Sequence, residues 1–356
     1  MVQQLRELLR LDVDKIDLHK GLTGLLSILA FGVFVAVFGN IGTVAALATL
    51  FVILADHPGP LRARGLGVLI MTVVGTVIAL IGAWAGAEHV LVASGLTLVV
   101  VLLSTLAAGF GPSAAARGML LSVWAVLAIS FAGGQETAVQ LAVAFAGGGL
   151  IAAGIIYLRT RALPGPSIGD EAEVAGRSFQ QVLRSPLGWF ALLRGVAAGL
   201  AMWLGASLFP EHAIWAALTV ILVMKPKAGE TIASGILRTC GTVSGVIAAE
   251  ALILVSDGQS AVVLVGFLAA GFGMAALQKV NYAVFVACLT ALLVLADQLA
   301  TGTGEATAVD RLLATLLGAA LAFIGIAVGR MLMGRPLVSP EADAPSADPS
   351  EDQTPG

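Results

Sequence analysis

Charge is what this sequence lacks. Asp, Glu, Lys and Arg make up 12% of its 356 residues, where a soluble domain carries about a quarter. The deficit is concentrated in apolar blocks of roughly 15–25 residues, the length a helix needs to cross a hydrocarbon core about 30 Å thick. A soluble fold is thereby excluded. Short alternating strands are also missing, which argues against a β-barrel. The two cysteines, Cys240 and Cys288, both sit in apolar runs and read as small core residues rather than a disulfide framework or metal site. His19, His57, His89 and His212 are scattered along the chain, so no metal-ligand spacing exists. With no glycine-rich phosphate loop and no nucleophile elbow, nothing points to an enzyme, a cofactor, an ATPase or a nucleic-acid partner. Any transport is therefore passive, or driven by an ion gradient or a partner protein.

What is present reads as an all-α polytopic membrane protein. Candidate spans fall at 21–39, 41–55, 65–87, 89–108, 116–132 and 138–158, then at 190–208, 211–224, 231–256, 260–276, 280–298 and 311–333. A charged segment at 1–20 places Leu5, Leu8, Leu9 and Ile16 at helical spacing, as in an amphipathic helix on the membrane surface. It has no apolar h-region and is not expected to be a cleavable signal. The domains expected are therefore 1–20, a first membrane unit at 21–158, a linker at 159–188, a second unit at 189–334 and a disordered acidic tail at 335–356.

Lys and Arg fix the orientation. With the N-terminus inside, Arg62, Arg64, Arg117, Lys225, Lys227, Lys279 and Arg330 all fall on the inner side, and Arg194 lies near it. The outer loops carry Glu88, Glu136, Glu211, Asp257, Asp297, Glu305 and Asp310, with Arg311 as the basic exception. This is the positive-inside distribution, with both termini cytoplasmic and an even number of spans.

The two halves read as copies. Leu-Ala-Ala-Gly-Phe-Gly occurs at 106–111 and again at 268–273, and Gly-Gln-Glu-Thr-Ala-Val at 134–139 parallels Gly-Glu-Ala-Thr-Ala-Val at 304–309. The stretches 45–80 and 212–249 each contain Ala-Ala-Leu, an aliphatic run, a proline break at Pro58 or Pro226, and Gly75-Thr76 or Gly241-Thr242. Two six-helix units of equal orientation are parallel repeats about an axis along the membrane normal, with a natural pathway between them. Such a chain could serve as a monomer or form a homo-dimer. The short spans 41–55 and 211–224 match in position, as broken helices near a transport site do.

Trp215-Ala-Ala-Leu-Thr-Val-Ile-Leu-Val-Met-Lys-Pro, then Glu230-Thr231, then Arg238 with Gly241-Thr242 and Gly245, resembles the signature of fusaric acid resistance (FUSC-type) membrane proteins. Asp310-Arg311-Leu-Leu with Gly318 is similar to that family's last helix, and Leu289-Thr290 to its penultimate one. The resemblance covers roughly 190–330. It implies a bacterial inner-membrane location, kinship with aromatic acid exporters and plant aluminium-activated malate transporters, and small organic anions as substrate. Large exporters of that group carry big soluble domains after each membrane half. Here a short linker and a tail stand in their place.

Arg238 is the sharpest functional candidate. Eight residues into a span beginning near Glu230, it lies about 12 Å deep at 1.5 Å per residue. A charge at that depth costs at least about 2.5 kcal/mol and needs protein, water or an anion beside it. Thr231, Ser234, Arg238, Gly241, Thr242, Gly245 and Ala249 recur at helical spacing as a small and polar stripe. That stripe reads either as pathway lining or as a close helix seam. In the first half Thr72 stands where Arg238 would be, with Gly75 and Thr76 keeping the stripe. Lys225, with Lys227, His57, Arg62 and Arg64, forms an inner cationic vestibule or ordinary anchors. Glu250 and Asp297 are candidates for proton coupling. Trp215 reads as an interface anchor or a stacking surface for an aromatic acid, and Asp310–Arg311 as an outer-surface pair. The function expected is organic-anion transport, with efflux first, a passive anion channel second and a membrane scaffold third.

Overall fold

The structure is a computed structural model that describes residues 14, 16–56, 61–131, 135–162, 178–277, 280–301 and 304–333. Some side chains within these ranges, Asp297 among them, lie outside the description. So do the expected amphipathic segment up to residue 13, the middle of the linker at 163–177, and the tail from 334. Every described element is helical. Helix α1 runs Leu18–Leu54, α2 Leu61–Ala87, α3 Val90–Leu106, α4 Pro112–Ser130 and α5 Gln135–Ala162. The short α6, Phe179–Arg184, leads into α7, Pro186–Leu208, then α8, Ala213–Val223, and α9, Ala228–Val255. The last three are α10, Ser260–Ala276, α11, Tyr282–Thr301, and α12, Gly304–Met333.

Among the described residues, seven helices are long and apolar enough to cross a membrane, and shorter apolar helices cover Ile41–Leu54, Ala213–Val223, Ser260–Ala276 and Tyr282–Ala296. This is a multi-pass membrane protein. Most sequence boundaries hold within a few residues. Two differ for a physical reason. The expected linker at 159–188 is shortened from both ends, because α5 continues to Ala162 and α7 starts at Pro186, a residue suited to the first helical turn. The last helix begins at Gly304 rather than 311, which draws Arg311 two turns into the helix. The expected break near residue 40 is a turn inside α1 at Gly39, whose φ of 56° is left-handed and open to glycine without strain.

Pairing within each half follows one scheme. Helix α2 packs on α4 and α5 as α9 packs on α11 and α12, and α3 packs on α4 as α10 packs on α11. The C-terminal part of α1 lies on α5 as α8 lies on α12. Gly148 of α5 would place a Cβ 2.1 Å from the Ala45 carbonyl oxygen and 2.8 Å from the Ala48 Cβ. Gly318 of α12 would place one 2.4 Å from the Ala216 carbonyl oxygen and 2.7 Å from the Thr219 Cβ. Only a missing side chain allows backbones this close, the usual route to tight packing where lipid supplies no hydrophobic drive. Between halves, α3 packs on α7 and α1 on α10, so each half rests a helix on the other.

The largest shared core centres on α8. Ala216, Val220, Ile221 and Val223 are wholly buried there against Phe190 and Met202 of α7, Val101 of α3, Val126 of α4 and Ala322 of α12. The first half has its own core, around Trp124, Phe145, Met71 and Val52. If the glycine contact sets the α1–α5 spacing, Gly148→Val will destabilise the fold by about 1–3 kcal/mol, the usual cost of overpacking. Gly154→Ala, with nothing within 4 Å of the added Cβ, will be neutral or slightly stabilising. Thermal unfolding midpoints of the two purified variants in one detergent check this; equal midpoints would show the spacing to be set elsewhere.

Candidate functional site

Helix α8 has 11 residues and at 1.5 Å each spans only about half of a bilayer core. Its last carbonyls have no partner within the helix, and no water meets them in an apolar interior. Two residues deal with this end. Arg194, from α7, is 9% exposed; its guanidinium donates to the Ile221 carbonyl oxygen and, at 3.1 Å, to Thr105 Oγ1 of α3. A cation there also suits the negative end of the helix. Thr231 is fully buried. Its hydroxyl accepts from the Lys225 N–H at 2.8 Å and donates to the Lys225 carbonyl at 2.9 Å, which closes the Lys225–Lys227 turn onto the start of α9. Thr231, expected at a pathway, thus acts on the backbone of the break. Burial, and then the nearby Arg194 charge, push the Lys225 ammonium below its ordinary pKa.

One level further along α8 and α9 lies the cavity that holds Arg238. This side chain is 6% exposed and its Nε donates to Thr219 Oγ1 at 3.2 Å. Thr219 in turn donates to the Trp215 carbonyl at 2.8 Å. Trp215, Arg238, Thr242, Thr290, Arg311 and Thr315 enclose about 20 Å³, with Val286, Leu289 and Leu293 completing the wall. Arg311 is 6% exposed, and its guanidinium carbon sits 4.1 Å from the Trp215 ring centroid, a cation–π contact of desolvated type. Beside it, His212 Nδ1 and Asp310 Oδ2 are 3.5 Å apart. The cavity wall therefore carries two guanidiniums and three threonine hydroxyls, and no carboxylate is among its described lining residues. Chemically it suits the oxygen atoms of an acid group.

These positions revise several expectations. The cavity is built from α8, α9, α11 and α12, so it lies inside the second half rather than between the halves; the interface between halves is filled by packed α3–α7 and α1–α10 contacts. Arg311 is a buried cavity residue and not an outer-surface charge, because α12 starts earlier than its hydropathy suggests. Trp215 is half-buried and Arg311 covers one face of its ring. The α9 stripe divides between its two readings. Gly241 and Gly245 form the seam, where added Cβ atoms would meet the Ala283 and Ala287 carbonyl oxygens of α11 at 2.5 and 2.4 Å, while Arg238 and Thr242 face the cavity. Ser234 is half-buried and does not line it.

Elsewhere the expected residues do structural work. Thr72 lies half-buried against Gly149 of α5 and its carbonyl accepts from Thr76 at 2.7 Å. Gly75 is covered by the Phe145 ring and its carbonyl accepts from the Trp124 indole at 2.9 Å. The inner basic cluster is partly neutralised. Arg64 donates to Asp56 through Nε at 2.9 Å and through a second nitrogen, and Lys227 is 3.6 Å from Glu230. His57 and Lys279 lie outside the described residues. Glu250 is half-buried, twelve residues beyond Arg238 on α9 and so about 18 Å farther along it. The side chain of Asp297 lies outside the description. Thr219, Thr290, Thr315 and Arg194 were not anticipated; single threonines in apolar helices give no sequence signal, and Arg194 is carried to depth by the early start of α7 at Pro186, four residues before the expected span.

Residues 196–325 match the family described as fusaric acid resistance protein-like, a match that contains every residue lining the cavity. No curated protein and no solved structure matches the chain. For the break, Thr231→Val will leave the Lys225 N–H and C=O unpaired and cost about 1–3 kcal/mol, while Thr231→Ser will retain most of the stability. Unfolding midpoints of the two variants measure this directly, and equal losses would assign the effect to packing of the methyl group instead.

Proposed function

We propose that this multi-pass membrane protein, fusaric acid resistance protein-like over residues 196–325, transports small organic anions, with aromatic or dicarboxylic acids as the substrate class and export from a bacterial cytoplasm as the direction. The observation that carries the reading is the convergence of Arg238 and Arg311 on one cavity inside the apolar body of the protein. Each buried guanidinium costs a few kcal/mol in a membrane interior, a cost that an anionic ligand in the cavity would offset. Hydroxyls of Thr242, Thr290 and Thr315 supply donors that bind an acid group without competing negative charge. In this reading the seven long helices, the four shorter ones and the 18–38 arm of α1 make twelve spans, arranged as two parallel repeats with both termini inside. The equivalent glycine contacts at Gly148 and Gly318 support the duplication.

A cavity of about 20 Å³ has room for roughly one water-sized group, not for a whole aromatic acid. Admitting such an acid requires the walls to part, which favours a carrier that opens for its substrate over a standing pore. Export against a gradient then requires coupling, for which Glu250 and Asp297 are the intramembrane carboxylates the sequence offers.

Proteoliposomes loaded with labelled benzoate or malate, with and without an imposed pH gradient, test the reading. Wild type will move one of these acids, and Arg238→Ala will lower the flux by about 10²-fold, equal to about 2.7 kcal/mol, while keeping its elution profile on size exclusion. Dependence on the gradient that disappears in Glu250→Gln or Asp297→Asn identifies proton coupling; gradient-independent flux identifies a passive path. Folded wild-type protein that moves neither acid overturns the transport reading.

A further inference from the structure

The two halves pack alike, yet the cavity occurs in the second. The repeated motifs set the correspondence residue by residue. Ala45-Ala46-Leu47 against Ala216-Ala217-Leu218 pairs Val44 with Trp215 and Ala48 with Thr219. Gly75-Thr76 against Gly241-Thr242 pairs Thr72 with Arg238, and 106–111 against 268–273 pairs Trp124 with Val286 and Ala128 with Thr290. Val139 against Val309 pairs Leu141 with Arg311, Phe145 with Thr315 and Gly148 with Gly318. Geometry agrees with this register independently of the sequence. Gly148 meets Ala45 and Ala48 just as Gly318 meets Ala216 and Thr219, and Gly241 lies against Val286 as Gly75 lies against Trp124.

At four of the five positions where the second half presents a charge or hydroxyl to its cavity, the first half presents a different side chain; at the fifth, Thr242, it keeps a hydroxyl in Thr76, which donates to the Thr72 carbonyl of its own helix at 2.7 Å. Trp124 and Phe145 pack as a tilted ring pair with centroids 4.7 Å apart, and both are at most 1% exposed. Phe51 meets Trp124 edge-on at 6.2 Å. Val44, Ala48, Ala128 and Leu141 close the remaining space, each no more than 2% exposed. The one polar atom of the ring pair, the Trp124 indole nitrogen, is satisfied by the Gly75 carbonyl. Arg238 and Arg311 are replaced by Thr72 and Leu141.

We infer that the chain holds a single acid-group site, enclosed within its second half, and that the first half carries the same site filled in by Trp124 and Phe145. The inference rests on the anion reading above and sharpens it. Binding is one ligand per chain, the first half serves as the fixed framework against which the second works, and Val286 and Thr315 set the free volume of the site by being smaller than their counterparts. Transplanting the first half's side chains into the second should therefore close the site without touching either arginine.

The test is calorimetric titration of the full chain in detergent with benzoate and with malate. Wild type is expected to take up one equivalent per chain of whichever acid it binds. Thr315→Phe and Val286→Trp, each copying the first half, are expected to weaken binding by at least about tenfold. Trp124→Phe, on the filled side, is expected to leave affinity and stoichiometry unchanged. Two equivalents per chain, or affinity that survives both Thr315→Phe and Val286→Trp, overturns the single-site inference while leaving anion binding intact. No binding of either acid by folded wild type overturns the anion reading itself, and this inference with it. The wild-type stoichiometry alone decides between one site and two, even should a filling variant fail to fold.

Discussion

A helix that ends inside a membrane must find partners for its terminal carbonyls, because the hydrocarbon offers none. The carbonyl end of α8 meets the same constraint inside the protein, where Ile221, Val223 and Met224 are wholly buried, and much of the second half is arranged around it. Arg194 reaches its carbonyl end from α7 and also grips Thr105 of α3, so the partner of the broken end is simultaneously a tie between the two halves. Thr231 fastens the following turn. With its lower end fixed, α8 presents Thr219 and Trp215 at defined heights, and these two residues hold the two cavity arginines. The cavity therefore inherits its geometry from the way a short helix is terminated. Remove the short helix and neither Arg238 nor Arg311 keeps its described neighbour.

Glycine determines how near the neighbours stand. Gly205 lets α7 approach the start of α8, where an added Cβ would lie 2.6 Å from the Ala213 carbonyl oxygen. Gly318 does the same for α12, and Gly241 and Gly245 bring α11 onto α9. These contacts lie on three sides of the cavity. Dispersion between backbones falls off within an ångström or so, and apolar lipid gives helices no reason of its own to associate. Small residues are thus what makes a cavity of a few tens of Å³ with fixed walls feasible in an all-helical membrane protein.

The helical architecture was legible in the sequence because its signal is a length of apolar chain, and length is insensitive to detail. The break after α8, the Gly39 turn and the seam at Gly241 and Gly245 were legible for a related reason: proline and glycine act through the backbone. Arg238 stood out because a charge in an apolar run is rare. The other cavity residues were hidden by the same measure. Arg311 lies beside Asp310 in a polar stretch that looks like a loop, and only the early start of α12 at Gly304 carries it inside. Thr290 and Thr315 are ordinary in membrane helices, where a hydroxyl can bond back to its own helix; their convergence depends on which faces meet, and that is a tertiary fact. The sequence reading looked for a pathway between the halves, the common arrangement for repeats; the cavity described here is lined from α8, α9, α11 and α12, and which helix faces meet there is likewise a tertiary fact.

The duplication proposed above would account for one half being filled while the other retains a site. On that proposal the two units would start with equivalent cavities, and a buried charge is costly to keep in both. Filling one copy with Trp124 and Phe145 converts polar, poorly packed space into core; burying aromatic rings of that size contributes several kcal/mol. The second copy keeps its guanidiniums and its small residues, together with a half-length helix whose termination depends on hydrogen bonds to side chains rather than on a continuing ladder. Local stability follows packing and internal hydrogen bonding, so the half that is filled is the half least able to open. On the anion reading proposed above, opening of the cavity is expected to involve α8, α9, α11 and α12 rather than the filled half, with Arg194 tying the two through Thr105 and Ile221.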